Sequence, residues 1–496
     1  MNHVDGRSVA SGLELRADVV VVGSGPAGSM VACEAANAGA GVVVVEEGPW
    51  LQPADFALST FGAMSGYYRG MGATAVYGGA LMPYVQGRMV GGSSPINGAI
   101  CWRLPRDVHD AWCAADPALR EALPWEEIES VTDAIETRLN VAPTDAAVAG
   151  RKNHLMAQGA EALGLEHRPI RRNVAGCRGL GRCMQGCPEG RKNSVERTVL
   201  ADALGGGATL LSSVEATGIM RRAGRAVGVG GRAAGGGTVV LHADRAVVLA
   251  ASAVQTPVLL LRNGLRHGPV GENFQGHPGV SLAGRFAEPV RMWEGATQGH
   301  EVTGLRREGL KFEVLGFDLT VLAARLEGFG SEFARSLADM PHWLDWGAAV
   351  RAEARGRVRR VFGRTVVTYT PTRDDIRRFR RGLRLMGEMM FAAGAEEVAP
   401  AVRGFAPRVR DPRQLADLEL NGPDRASAYM AAITHMFGTC RMGSDPAGNV
   451  VRPDFRHHAV ESLYIADSSV FPTNTGVNPQ ISIMALAALC ARRVTA

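Results

Sequence analysis

The chain has 496 residues, 46% hydrophobic and 21% charged, with a net charge of +5 from 54 basic and 49 acidic side chains. That length exceeds what a single hydrophobic core serves, so two substantial cores are expected. So small a positive surplus argues against a nucleic-acid partner, and eight cysteines in so long a chain argue against a disulfide framework.

The opening residues carry no apolar run behind their charges, so no secretory signal is expected. The longest apolar stretches, near 246–261 and 481–490, are too short or too interrupted to make a transmembrane segment. A cytoplasmic, reduced protein is the default reading. Asp18 to Val22 is a β-branched run suited to a strand buried on both faces. It leads into Gly23-Ser24-Gly25-Pro26-Ala27-Gly28, an alanine-rich helix over Ser29–Ala40, a second strand at Val42–Val45 and then Glu46. Gly23 permits the tight turn, Gly25 lets a pyrophosphate approach the backbone, and Gly28 lets helix and strand pack closely. The helix N-terminus offers free N–H groups to phosphates, and Glu46 is placed to accept from ribose hydroxyls. Strand, turn, helix and acid together point to a dinucleotide, and the motif leaves FAD and NAD both open.

Six later segments stand out. They are Gly91-Gly92-Ser93-Ser94-Pro95-Ile96-Asn97-Gly98, the three cysteines Cys177, Cys183 and Cys187, Ala250 to Leu260, Val270 to Pro278, His435 to Gly443, and Thr475-Gly476-Val477-Asn478-Pro479-Gln480. Lys311–Leu322 and Arg364–Tyr369 alternate like strands, Leu463–Ala466 reads as a short strand ending at Asp467, and Ile481–Cys490 reads as an apolar helix. An arginine-rich stretch over 351–384, near Trp343 and Trp346, reads as a solvated helix face in preference to a membrane- or partner-facing patch. His277 reads as structural, and His457 and His458 as solvent-exposed.

In their order along nearly the whole chain these segments resemble the glucose–methanol–choline oxidoreductases. The resemblance implies an α/β fold in which a Rossmann-like FAD-binding domain (15–100, 190–280 and 440–496) joins a substrate domain with an antiparallel sheet (101–189 and 281–439). It implies FAD contacts at Gly92, Ser93, Asn97, Val214, Asp467 and Pro479, besides Gly23, Gly25, Gly28 and Glu46. Ser252 stands where the family usually has glycine. Pro95, Ile96 and Asn97 occupy the places where members with covalent flavin carry histidine, so non-covalent FAD is expected. Thr60 to Val90 resembles a loop covering the flavin.

The implied reaction is oxidation of a small-molecule alcohol by hydride transfer to flavin N5, with oxygen or a redox partner as electron acceptor. The catalytic pair would be His435, as the base, and Asn478. Asn478 followed by Pro479 also suits a helix cap. A sugar, sterol or other secondary alcohol fits the His–Asn pair. Lyase or photodecarboxylase chemistry on the same scaffold is the rival reading. The spacing of Cys177, Cys183 and Cys187 resembles the [3Fe–4S] ligands of multi-component dehydrogenases. The following Gly190-Arg191-Lys192-Asn193-Ser194 resembles members without a cluster, and both readings stand open.

Overall fold

The computed structural model describes residues 2–323 and 329–496. Four consecutive valines, Val19–Val22, end the strand Leu13–Val22 and are all buried. A strand covered on both faces requires such a run, because alternate side chains point to opposite sides and neither side meets water. Around this strand an eight-stranded sheet forms among the described residues. Its order is His3–Asp5, Thr209–Ser212, Val42–Val45, Leu13–Val22, Thr238–Leu249, Arg225–Ala233, Val214–Arg222, and Leu463–Ile465 also pairs with Thr238–Leu249. Pairings are parallel from His3–Asp5 through Thr238–Leu249 and antiparallel beyond it. The helices Pro26–Asn37 and Gln480–Thr495 pack against each other over this sheet.

A second, antiparallel sheet of seven strands is built on Gln275–Phe286. That long strand pairs with Trp343–Val350, Ala395–Ala399 and Ala431–Phe437, and the sheet continues through Leu310–Leu315, His300–Val302 and His167–Pro169. The amphipathic helix Arg373–Ala392 lays Ile376, Phe379, Leu383, Met386 and Met390 on it. Each sheet carries its own hydrophobic cluster, so the chain has the two cores its length implies.

Several local expectations are corrected. The first helix is Pro26–Asn37, three residues earlier than Ser29–Ala40, because proline is tolerated in a first turn whose N–H groups are unpaired anyway. The strand expected over Lys311–Leu322 ends at Leu315. Asp318 then accepts from Val321 N–H and starts the short helix Leu319–Ala323. Trp343 and Trp346 are buried in the second sheet. Arg377, Arg378, Arg380, Arg381 and Arg384 form ion pairs with Asp374, Glu353, Asp424, Glu308 and Glu388, so these five arginines are charge-compensated. His457 is buried, not exposed, and burial beside His267 lowers its pKa to about 4. His458 is partly buried and bonds Gly443 O at 3.0 Å. Over Thr60–Val90 the chain forms the helix Thr60–Tyr67 and the small hairpin Ala75–Tyr77 and Met82–Pro83.

Candidate active site

Where the strand Leu13–Val22 ends, Gly23 has φ +98°, and a Cβ there would meet Ala250 O at 2.5 Å. A Cβ on Gly28 would lie 1.8 Å from Gly23 O, so the helix can start this close to the turn only with glycine there. Gly92 has φ +59°, and a Cβ on it would approach Gly25 Cα to 2.9 Å. Two glycine turns thus meet backbone to backbone and leave main-chain N–H groups, unobstructed by side chains, at the mouth of a helix.

Those turns line a cavity of about 800 Å³ between the two sheets. Gly23, Gly25, Glu46, Gly92, Ser93, Asn97, Val214, Asp467, Pro479, His435 and Asn478 all line it. Gly28 does not; it sets the helix–strand contact instead. Two helix N-termini, at Gly25–Pro26 and Pro479–Gln480, open on this cavity without a side-chain cap, so their partial positive charges face it.

Glu46 ends the strand Val42–Val45 and is buried. Its Oε2 accepts from Ser24 N (3.0 Å) and Ser24 Oγ (2.8 Å), and its Oε1 accepts from Gly48 N at 2.9 Å. Burial outweighs these bonds and raises its pKa. Asp467 is held likewise by Ser252 N, Ser469 N and the Thr256 hydroxyl, and burial raises its pKa too. Ser252 has φ +104°, a left-handed conformation costing roughly 1–3 kcal/mol in a non-glycine residue. Its hydroxyl accepts from Val254 and Gln255 N–H and from Gln86 Nε2, so the serine keeps a glycine-like backbone and adds a cap to the helix Gln255–Arg262. Asn97 donates to Gln480 Oε1 at 2.6 Å and accepts from Ala99 N. Gln86 Oε1 and Gln480 Nε2 line the cavity, buried and without a protein partner. Orphaned amide atoms, glycine cradles and open helix ends are what a dinucleotide needs, so these residues fit FAD.

His435 lies on the strand Ala431–Phe437. The register against Gln275–Phe286 slips between the pairs Gly276–Met436 and Pro278–Ile433, leaving one extra residue on the His435 strand. Such a bulge re-aims side chains, and here it brings His435 Nδ1 to 3.2 Å from His277 Nδ1. His277, expected to be structural, therefore joins the site. Its Nε2 accepts from Gly476 N–H at 2.9 Å, so a neutral His277 carries its proton on Nδ1 and donates it toward His435 Nδ1. His435 then holds its own proton on Nε2, the ring nitrogen left to the cavity. Burial, and then the charge of Lys311, lower the His435 pKa to about 3.

Asn478 is buried, and its side chain does not cap the following helix, whose N-cap position is Pro479. Its Oδ1 accepts from Lys311 Nζ at 2.7 Å, which turns the Nδ2 amide toward the cavity. Lys311 was not singled out by the sequence. It is 1% exposed and ion-paired with Glu301 (2.9 Å) and Glu313. Trp102 Nε1 and Arg168 Nε satisfy Glu301 further, and Gln298 Nε2 donates to Glu313. Burial would push the Lys311 ammonium down, but the two carboxylates raise its pKa overall.

The cysteines do not form a cluster site. Arg172 stands between Cys177 and Cys183, and Cys187 Sγ accepts from Arg191 N–H at 3.3 Å. Among the described residues no three His, Cys, Asp or Glu side chains converge to hold a metal, so the [3Fe–4S] expectation does not fit.

Family models described as GMC oxidoreductase match residues 20–279 and 352–487. The chain belongs to the GMC oxidoreductase family, whose members bind FAD. An uncharacterised GMC-type oxidoreductase of Mycobacterium tuberculosis is 37% identical over 490 residues, covering 97% of this chain and 76% of that one. Long-chain-alcohol oxidase FAO4A of Arabidopsis thaliana is 26% identical over 507 residues, 96% of this chain and 68% of that one. Formate oxidase of Aspergillus oryzae superposes with a TM-score of 0.71 at 17% identity, over 97% of this chain and 98% of that one. The Rossmann-like and antiparallel halves expected from the sequence are thus those of this family's fold. No described helix is long and apolar enough to cross a membrane.

Proposed function

We propose that this chain oxidises the hydroxyl-bearing carbon of an apolar alcohol, with FAD held non-covalently along the cavity by 15–100, 190–280 and 440–496. The observation that carries this reading is the convergence of His435 and Asn478 on a cavity that two uncapped helix N-termini also face. FAD, when bound, supplies the hydride acceptor at N5. Gly23, Gly25 and Gly92 would admit the pyrophosphate, Glu46 the ribose, and Ser93, Asn97, Val214, Asp467 and Pro479 the rest of the cofactor.

In the resting network His435 Nε2–H and Asn478 Nδ2–H are both donors, and together they would hold the alcohol oxygen and stabilise negative charge on it. His435 becomes the base once its proton sits on Nδ1, which requires His277 to release Gly476 N–H and present a bare Nδ1. Nε2 then takes the hydroxyl proton as the carbon loses hydride. Met64, Leu81, Val85, Leu315, Phe317 and Met430 line the same cavity. This apolar wall supports an alcohol with a substantial hydrocarbon body over a sugar, in line with the long-chain-alcohol oxidase relative.

Anaerobic addition of medium- and long-chain alcohols in the dark is expected to bleach the flavin absorbance. No bleaching by any alcohol, with turnover of another substrate at oxidised flavin, would point to lyase or photodecarboxylase chemistry. Acid precipitation should leave all the yellow colour in the supernatant, and flavin retained in the washed pellet would overturn the non-covalent reading.

A further inference from the structure

A third sheet, of four strands, joins Arg357–Val361 and Arg364–Thr368 to Ala75–Tyr77 and Met82–Pro83. Val76, Met82, Val358 and Val367 anchor one of its faces in the second core. Its segments are free of acids: none lies between Phe56 and Arg106, nor between Ala354 and Thr372. The turn between its first two strands carries a fully exposed Phe362 at its tip, beside the exposed Val361. Arg357 and Arg359 share Glu272 (2.6 and 3.8 Å), whereas Arg360 and Arg364 form no ion pair among the described residues.

The same sheet borders the mouth of the cavity. Tyr84 bridges to Ile433 in parallel register, which brings Leu81 and Met430 to one rim, where both are exposed and both line the cavity. Phe61, exposed on the helix Thr60–Tyr67, extends that rim, since Thr60, Ala63 and Met64 line the cavity too. Arg403 and Arg425 are exposed and unpaired among the described residues, and they flank Ala426–Met430, with Arg403 N–H donating to Ala428 O at 2.7 Å. The neighbouring Asp424 is taken by Arg380. A surface with so many exposed apolar side chains needs a partner. Unpaired arginines with no acid among them repel a second copy of the same face and attract an anionic one.

We propose that this face docks on an anionic lipid bilayer, with Phe362 entering the interface, Arg360 and Arg364 on lipid phosphates, and the cavity mouth turned toward the lipid. An aromatic ring at a turn tip reaches the acyl boundary, while arginine stems hold their charges at headgroup level. An apolar alcohol then passes from bilayer to cavity without crossing water. This delivery rests on the substrate class proposed above, whereas docking does not.

The test sediments the FAD-loaded full chain with sucrose-filled phosphatidylcholine vesicles, with or without about 30% phosphatidylserine. Binding to the anionic vesicles is expected, with most of it lost at high salt. Arg360→Gln with Arg364→Gln should weaken partition about 30-fold, and Phe362→Ser about 10-fold, with flavin content unchanged. Wild type that stays in the supernatant, or binds neutral and anionic vesicles alike, overturns the proposal. So does a concentration-dependent dimer that Phe362→Ser dissolves, because a second copy would then cover the face. Phe61→Ser should weaken partition as well, and partition unaltered by it would turn the mouth away from the lipid and overturn delivery. Vesicle binding involves no substrate, so alcohol-bleached flavin in a chain that ignores vesicles sinks docking alone.

Discussion

Replacing His435 with alanine is expected to slow flavin reduction by about 10²-fold or more while leaving the flavin content of the protein intact. The first half follows from placement: His435 sits on a bulged strand, held at Nδ1 by His277 and open to the cavity at Nε2. The second half follows from the glycine turns and helix ends, which cradle the cofactor without His435. His435→Gln separates the two roles of the ring. An amide restores a donor but no base, so partial recovery over alanine would assign His435 to holding the oxygen, and no recovery would assign it to taking the proton. The pH profile adds a further check. Burial and Lys311 hold the His435 pKa at about 3, well below the ordinary 6.5, so the ring stays neutral and the rate shows no acidic inflection near 6.5. Anaerobic stopped-flow absorbance across pH reads all of this, and an alanine variant reduced at the full rate would remove His435 from the chemistry.

What the sequence disclosed depended on whether a feature was local. The strand, glycine turn and helix from Asp18 to Asn37 are written in consecutive residues, since β-branched runs and forced backbone angles act over a few positions. Glu46 was legible for the same reason, being the acid that ends the next strand. The contacts of His277 were not. They arise from a register slip between strands some 158 positions apart in sequence, the separation of His277 and His435, and no local pattern encodes that slip. His457 misled because its neighbours are charged, yet those charges point outward while the ring packs beside His267.

Lys311 and Glu313 illustrate a different failure. In Leu310-Lys-Phe-Glu-Val-Leu315 the charged residues alternate with apolar ones, which reads as a strand with one wet face. In the structure both faces are covered, and the charges satisfy one another across the sheet, with Glu301 registered opposite Glu313. Alternation reports a difference between two faces. It does not report whether the polar face meets water or another buried charge.

Lys311→Met is therefore expected to have the largest effect on stability, a loss of about 3–5 kcal/mol, because two buried carboxylates lose their cation together. Arg168 still compensates Glu301, but Glu313 has no second cation among its described ion pairs. The pH dependence has a definite sign on each side. The Lys311 pKa is raised above its ordinary 10.5, so its contribution is full below 10.5 and is lost as pH rises through the raised value. The Glu301 pKa is lowered below 4.5, despite the opposing effect of burial, chiefly by Lys311; its contribution is present above 4.5 and fades as pH falls through the lowered value. Wild type should thus exceed the variant in urea midpoint most between those limits, and the gap should close toward either extreme. Activity requires a second step, since a poorly folded variant is slow for trivial reasons. Adding Glu301→Gln and Glu313→Gln to Lys311→Met removes the stranded charges and should recover much of the stability. Flavin reduction should stay slow in that triple variant, because Asn478 Oδ1 has lost the ammonium that turns its amide toward the substrate. Full recovery of both stability and rate would make Lys311 a structural counter-ion and leave Asn478 oriented by other means.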